Sequence, residues 1–149
     1  MSWLSNAARR LGMSEPEAVL DASAFLAYLQ GERGTEAVRE ALGGGCCMSA
    51  VNWAEVLSKV ADLGMPSQDL ISDLTQRGLL GSVLRIVAFG EQDAPLVGDL
   101  RPRTHGYGLS LGDRACLSLG HRLGSPVLTT DRAWGELEGD VEVEVRIIR

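Results

Sequence analysis

The chain reads as a three-layer α/β/α sandwich built on a five-stranded, mostly parallel sheet. Two observations carry that reading. Short apolar runs alternate with longer segments of helical periodicity along the sequence, the pattern of a parallel sheet joined by helical crossovers. No internal repeat, low-complexity tract or linker interrupts the alternation across 149 residues, a length that suits one domain with a real core.

Strand one is Ala18-Val19-Leu20, and Asp21 ends it. A helix follows over 22–30, and Gly31 stands where a left-handed residue closes helices. A second helix spans 36–42 and stops at Gly43-Gly44-Gly45. Cys46-Cys47-Met48 is a short buried strand. Ser49 caps a helix that runs to Leu63 and is ended by Gly64 and Pro66. Residues 67–77 form a further helix, and the β-branched stretch 83–88 is a strand. A helix over 91–100 leads to a turn-rich loop over 101–108, in which Arg101, Arg103 and His105 form a small basic cluster. A helix over 110–123 and the turn Gly124-Ser125-Pro126 precede a strand that ends at Thr130. The last strand, 141–147, alternates strictly between apolar and charged residues, as a half-exposed edge strand does.

Residues 1–17 stand outside this alternation as an N-terminal extension, with the domain proper over 18–149. Residues 2–12 read as a short amphipathic helix, with Trp3, Leu4, Ala7, Ala8 and Leu11 on one side. Such a helix is either a docking element or incidental, with Met13 as an alternative start.

Composition narrows the function classes. No apolar run approaches the roughly 20 residues of a membrane span, and residues 1–12 lack the apolar core of a secretory signal. The three cysteines, Cys46, Cys47 and Cys116, make neither a disulfide framework nor a zinc pattern. A reduced, cytoplasmic setting is expected. The net charge of −6 argues against a general nucleic-acid coat, which would be basic. It leaves room for a nuclease whose phosphate contacts come from individual arginines, such as Arg114 and Arg132 directly after two of the acids. No G-x-G-x-x-G or P-loop pattern supports nucleotide binding.

Four carboxylates carry the chemistry: Asp21, Glu55, Asp113 and Asp131. Each has a structural role available to it. Asp21 and Asp131 can cap the helices that follow, and Ser110-Leu111-Gly112-Asp113 spells a capping box. Glu55 can be an exposed helix residue. Together they ask for more. Three of them fall at strand ends or helix starts, which an open parallel sheet gathers at its carboxyl edge, where ligands bind. Glu55 lies on the margin of the stripe Val51, Ala54, Leu57, Val60 and Ala61. With Ser49 as cap it sits about 9 Å along the helix axis, within reach of the same edge. Acids that converge repel one another unless a cation neutralises them, and a hard divalent ion suits oxygen donors.

The run Val19-Leu20-Asp21-Ala22-Ser23-Ala24-Phe25-Leu26 resembles the opening of a PIN-domain ribonuclease, and Ser49-Ala50-Val51-Asn52-Trp53-Ala54-Glu55-Val56 resembles the second motif. Leu109-Ser110-Leu111-Gly112-Asp113-Arg114-Ala115-Cys116 and Val127-Leu128-Thr129-Thr130-Asp131-Arg132-Ala133-Trp134 are similar to the third and fourth. The resemblance runs from about residue 18 to the C-terminus and is greatest to VapC-type toxins of bacterial toxin–antitoxin pairs. Glycine at 112 departs from the alanine of many relatives. The resemblance implies sheet order 3-2-1-4-5 and a pocket in which Asp21, Glu55, Asp113 and Asp131 bind Mg²⁺ or Mn²⁺. Ser23 and Thr130 are the implied supporting hydroxyls, holding a water or orienting a carboxylate. It further implies metal-dependent cleavage of RNA, one tightly held ion with a second arriving with substrate, and a small antitoxin laid over the pocket. A homodimer or toxin–antitoxin hetero-oligomer is implied as well, with residues 49–77 as the first place to look.

Two other classes compete. A non-catalytic PIN-like module would hold RNA or a protein without cutting, and would carry a degraded set of acids. A phosphoacceptor or aspartyl-phosphate enzyme shares an acid at the end of strand one. It would need a second acid two residues on, where this chain has Ser23, and a lysine after strand four, whereas the sole lysine is Lys59. Trp53 and Trp134 flank acids and have base stacking open to them, with burial the favoured fate, and the cysteines read as small core residues.

Overall fold

The computed structural model describes residues 15–137, 139 and 141–149; the amphipathic helix expected over 2–12 lies outside them. Strands β1 (Ala18–Leu20), β2 (Cys46–Ser49), β3 (Leu84–Val87), β4 (Val127–Thr129) and β5 (Val145–Ile147) form one sheet in the order β3-β2-β1-β4-β5. Every neighbouring pair is parallel, so the sheet is wholly rather than mostly parallel. The helices are α1 (Ala22–Gln30), α2 (Thr35–Gly43), α3 (Ala50–Asp62), α4 (Ser67–Gln76), α5 (Ala94–Thr104) and α6 (Leu111–Leu123). Short 3₁₀ turns occupy Glu91–Asp93, His105–Tyr107 and Arg132–Glu136.

Strand alternation divides the core in two. Ala18, Leu20, Cys46, Met48, Leu84 and Leu128 face one cluster, filled by Phe25, Val38, Val56 and Leu74 from α1 to α4. Val19, Cys47 and Val127 face the other, filled by Leu100, Cys116, Leu117, Leu123 and Trp134. Successive strand side chains point to opposite faces, so β1 and β2, covered on both sides, are buried at every position and apolar at all but the terminal Ser49. All three cysteines lie in these clusters, and burial pushes the Cys46 and Cys47 thiols up to about 12 and 11. They pack as small apolar residues, as expected.

Two elements differ from the sequence reading. The loop expected over 101–108 is largely helical: α5 continues to Thr104 with Pro102 inside it. Buried Leu100 and Thr104, the latter donating to the Leu100 carbonyl (2.8 Å), hold that last turn against the core. The terminal strand is shorter than 141–147. Val141 is buried in the second cluster and Glu142 takes a left-handed backbone (φ 51°), so pairing with β4 begins only at Val145. Alternation marked the edge position correctly, because β5 borders the sheet with half-exposed residues.

A candidate acidic active site

Strand β1 has β2 on one side and β4 on the other. Connections leaving β1 and β4 therefore diverge, which opens a crevice at their carboxyl ends. Asp21 follows β1 directly and Asp131 lies two residues beyond β4. Helix α3, leaving β2, brings Glu55, and the first turn of α6 brings Asp113. All four acids line one cleft of about 310 Å³, together with Ala22, Ser23, Leu26 and Lys59. The four positions expected from sequence are thus brought together.

Asp21 is the most constrained. Only 5 % exposed, it caps α1 by accepting from the Ala24 N–H (2.8 Å). The Ser23 hydroxyl donates to the same Oδ1 (2.7 Å), and the Thr129 hydroxyl donates to Oδ2 (2.5 Å). Three donors favour the charged form, yet burial outweighs them and raises the carboxyl to about 6, with Asp113 adding a further push. A carboxylate offers about four acceptor sites, so one on Oδ2 remains for the cleft. Thr129 in turn accepts from the Asp131 N–H (3.1 Å), and Ser23 accepts from the Thr130 N–H (3.0 Å). These bonds lock the ends of β1 and β4 together around one acid.

Ser23, expected as a supporting hydroxyl, bonds Asp21, and the second hydroxyl there is that of Thr129, where the sequence reading named Thr130 as support for a water or a carboxylate. Register explains the difference. Leu20 pairs with Leu128, so the next step places Thr129 beside Asp21, and Thr130 contributes its backbone N–H. Nothing in the linear sequence separates two adjacent threonines; only the strand pairing does.

Asp113 is half-buried and closes the capping box, its Oδ2 accepting from the Ser110 N–H (2.9 Å) while the Ser110 hydroxyl accepts from the Asp113 N–H (3.1 Å). Asp131 is exposed and caps the turn that follows through the Ala133 N–H (3.0 Å). Capping and lining the cleft coexist, because each carboxylate has two oxygens. Glu55 is exposed on α3 and held by the Asn52 carboxamide (Nδ2 to Oε1, 2.8 Å). Beneath the cleft, Cys116 is fully buried and its thiol is pushed well up, first by burial and then by the charges of Asp21, Asp113 and Glu55.

Of the cations singled out in the sequence, only Arg114 departs from an exposed position. Arg114 turns inward, 9 % exposed, and donates to the Val97 carbonyl (2.9 Å), so it braces α5 against α6. Arg101, Arg103 and His105 are exposed on the last turn of α5 and the turn after it, away from the cleft lining. Arg132 is exposed beside Asp131. The cation that lines the cleft is Lys59, one turn beyond Glu55 on α3. Trp134 is buried, and Trp53 stacks at a tilt on Phe25, ring centres 6.2 Å apart.

The donor set is oxygen-rich, which suits Mg²⁺ or Mn²⁺; such ions are held by one or two carboxylates and keep several waters. Among the described residues no three acidic, imidazole or thiol side chains come together as a ready-made cage.

No curated protein matches the chain. Among solved structures it is similar in fold to a toxin–antitoxin complex from Klebsiella pneumoniae (18 % identity, TM-score 0.66, 89 % of this chain and 98 % of that one). A DNA-bound VapBC from Salmonella typhimurium is 13 % identical, with TM-score 0.64 over 90 % of this chain and 99 % of that one. FitAcB from Neisseria gonorrhoeae is 20 % identical, with TM-score 0.64 over 86 % of this chain and 95 % of that one. The family model for the PIN domain matches residues 18–139, a span that contains the whole acidic cleft, and the chain belongs to the PIN-domain family.

Proposed function

We propose that the protein is a Mg²⁺- or Mn²⁺-dependent endoribonuclease, the VapC-type toxin of a toxin–antitoxin pair. The observation that carries this reading is the convergence of Asp21, Glu55, Asp113 and Asp131 on one cleft at the sheet's carboxyl edge. PIN domains are generally nucleases, and similar folds occur in VapBC and other toxin–antitoxin complexes. A bound divalent ion supplies an activated water at neutral pH and charge for the leaving oxygen. The chain's own part is to hold the ion and the RNA in register. Asp21, fixed by Ser23, Thr129 and Ala24, offers a preset oxygen. Asp113 and Asp131 are pinned by their capping bonds, so neither needs to reorganise. Lys59 stands at the rim for a substrate phosphate. An antitoxin would silence the site by laying a peptide over the cleft with a basic side chain among the acids. Exposed Leu63 (64 %) and Met65 (44 %), where α3 turns into α4, favour that corner as a partner or dimer face.

The test is RNA cleavage by the purified protein with Mg²⁺ or Mn²⁺, paired with EDTA and with Asp21→Asn. Cleavage is expected in the parent alone, and the variant should lose at least about 100-fold, since metal stabilisation is worth several kcal/mol. In cells, Asp21→Asn should relieve growth arrest; arrest that persists counts against catalysis.

A second reading is a PIN module that binds RNA or protein without cutting. The capping bonds that hold Asp21, Asp113 and Asp131 favour it, because they give each of these acids a structural role. Folded, antitoxin-free protein that leaves every RNA pool intact would select it.

A further inference from the structure

Resting on the nuclease reading, we propose that Asn52 is a positioning residue that clamps the Glu55 carboxylate onto the first turn of α6, in space left by Gly112. Asn52 lies three residues before Glu55 on α3, hence on the same helix face, and is 1 % exposed. Its carboxamide nitrogen has two hydrogens. One is donated to Glu55 Oε1 (2.8 Å) and the other to the Gly112 carbonyl (3.0 Å). The amide thus ties the acid of α3 to the turn that carries Asp113.

The amide's orientation is fixed by what it faces. Reversed, its oxygen would meet two other oxygens. As it stands, Oδ1 is buried without a partner. An unpaired buried acceptor is a net cost, which leucine would avoid at a plain helix–helix contact. The residue's worth therefore lies in its two donors.

Gly112 completes the arrangement from the other side. A Cβ there would stand 2.6 Å from Glu55 Oε1, 2.8 Å from Cδ and 2.9 Å from Oε2. The carboxylate fills the volume of a missing methyl group. Gly112 needs no left-handed backbone, and alanine would be the better helix former. Room for Glu55 is what the glycine provides. Because the crowded atoms are the end of a flexible side chain, Gly112→Ala should fold and simply expel the carboxylate.

The experiment uses the full chain with Asn52→Leu, Gly112→Ala, Glu55→Gln and the double variant Asn52→Leu/Glu55→Gln. Three readouts apply: Mn²⁺ binding by water-proton relaxation, the split of RNA cleavage between kcat and KM, and crystal structures of the metal-free proteins. Asn52→Leu is expected to melt at or above the parent's temperature, yet to lose about tenfold in Mn²⁺ affinity, the scale at which partners of metal-binding groups act. Its kcat should fall similarly with KM within about twofold, and Gly112→Ala should follow it. The double variant should bind Mn²⁺ no worse than Glu55→Gln, because both changes break one unit. Losses that add in full, or an unchanged Mn²⁺ affinity in Asn52→Leu, would overturn the proposal. The metal-free structures separate this idea from the nuclease reading. Glu55 displaced from residue 112 in Asn52→Leu supports the clamp even if the parent cuts no RNA, and Glu55 unmoved there refutes it whatever the activity.

Discussion

Asp21 shows what burial does to a carboxylate. Burial raises its carboxyl from the ordinary 3.8 to about 6. Between those values the folded chain binds the proton more tightly than the unfolded chain does. The group's stabilising effect is therefore fully present below about 3.8 and is lost as pH rises through about 6. Two pH units at 1.36 kcal/mol each make this a loss of about 3 kcal/mol. Urea midpoints of the metal-free protein should accordingly fall from pH 4 to pH 6 by this contribution. Asp21→Asn should flatten that fall and exceed the parent's stability at pH 7. A variant no more stable than the parent at pH 7 would mean that Asp21 carries no such cost. Millimolar Mg²⁺ should recover stability in the parent alone, by mass action. Sequence marked Asp21, its Ser23 hydroxyl and Glu55, but not the Thr129 hydroxyl on Asp21 or the Asn52 amide on Glu55. Thr129 is fixed by strand register and Asn52 by a neighbouring helix, and neither relation is written in linear order.

At the scale of elements, acids that cap helices also line the cleft. Asp21, Asp131 and the Ser110–Asp113 box were each readable as ordinary helix starts, and the structure shows all three capping bonds formed. Capping and lining the cleft coexist, because a cap uses only part of a carboxylate's acceptor capacity. Ser110→Ala separates the two. It removes the acceptor for the Asp113 N–H but keeps the Ser110 backbone N–H on the Asp113 carboxylate. It should cost about 1 kcal/mol of stability, measured by urea unfolding, while Mn²⁺ affinity stays within about twofold. A large loss of affinity would place the hydroxyl in the site itself. Helix α5 was under-read for a related reason. Arg101, Pro102 and Arg103 look like loop residues, yet buried Leu100 and Thr104 keep them helical. Tertiary packing overrides local propensity where the apolar face continues.

Charge belongs to the whole molecule. With a net charge of −6 and Lys59 as the cation lining the cleft, the proposed nuclease should release few counterions on binding single-stranded RNA. Log affinity against log salt should therefore fall with a slope no steeper than about −2, at roughly −0.7 per neutralised phosphate. Fluorescence anisotropy with Asp21→Asn protein measures it, and a slope near −5 would reveal a basic surface elsewhere. The sequence alone determined the alternation of strands and helices, the central buried strands, the charged edge strand and the four acids. Each of these is written in local periodicity or in a residue at an element's end. The tertiary structure decided what the acids are made of as a site. It turned Arg114 into the core, put Thr129 rather than Thr130 on Asp21, and shortened β5 by burying Val141. It also seated Glu55 in the space beside Gly112. Those outcomes depend on which segments pack together, and packing brings together residues that sequence distance keeps apart.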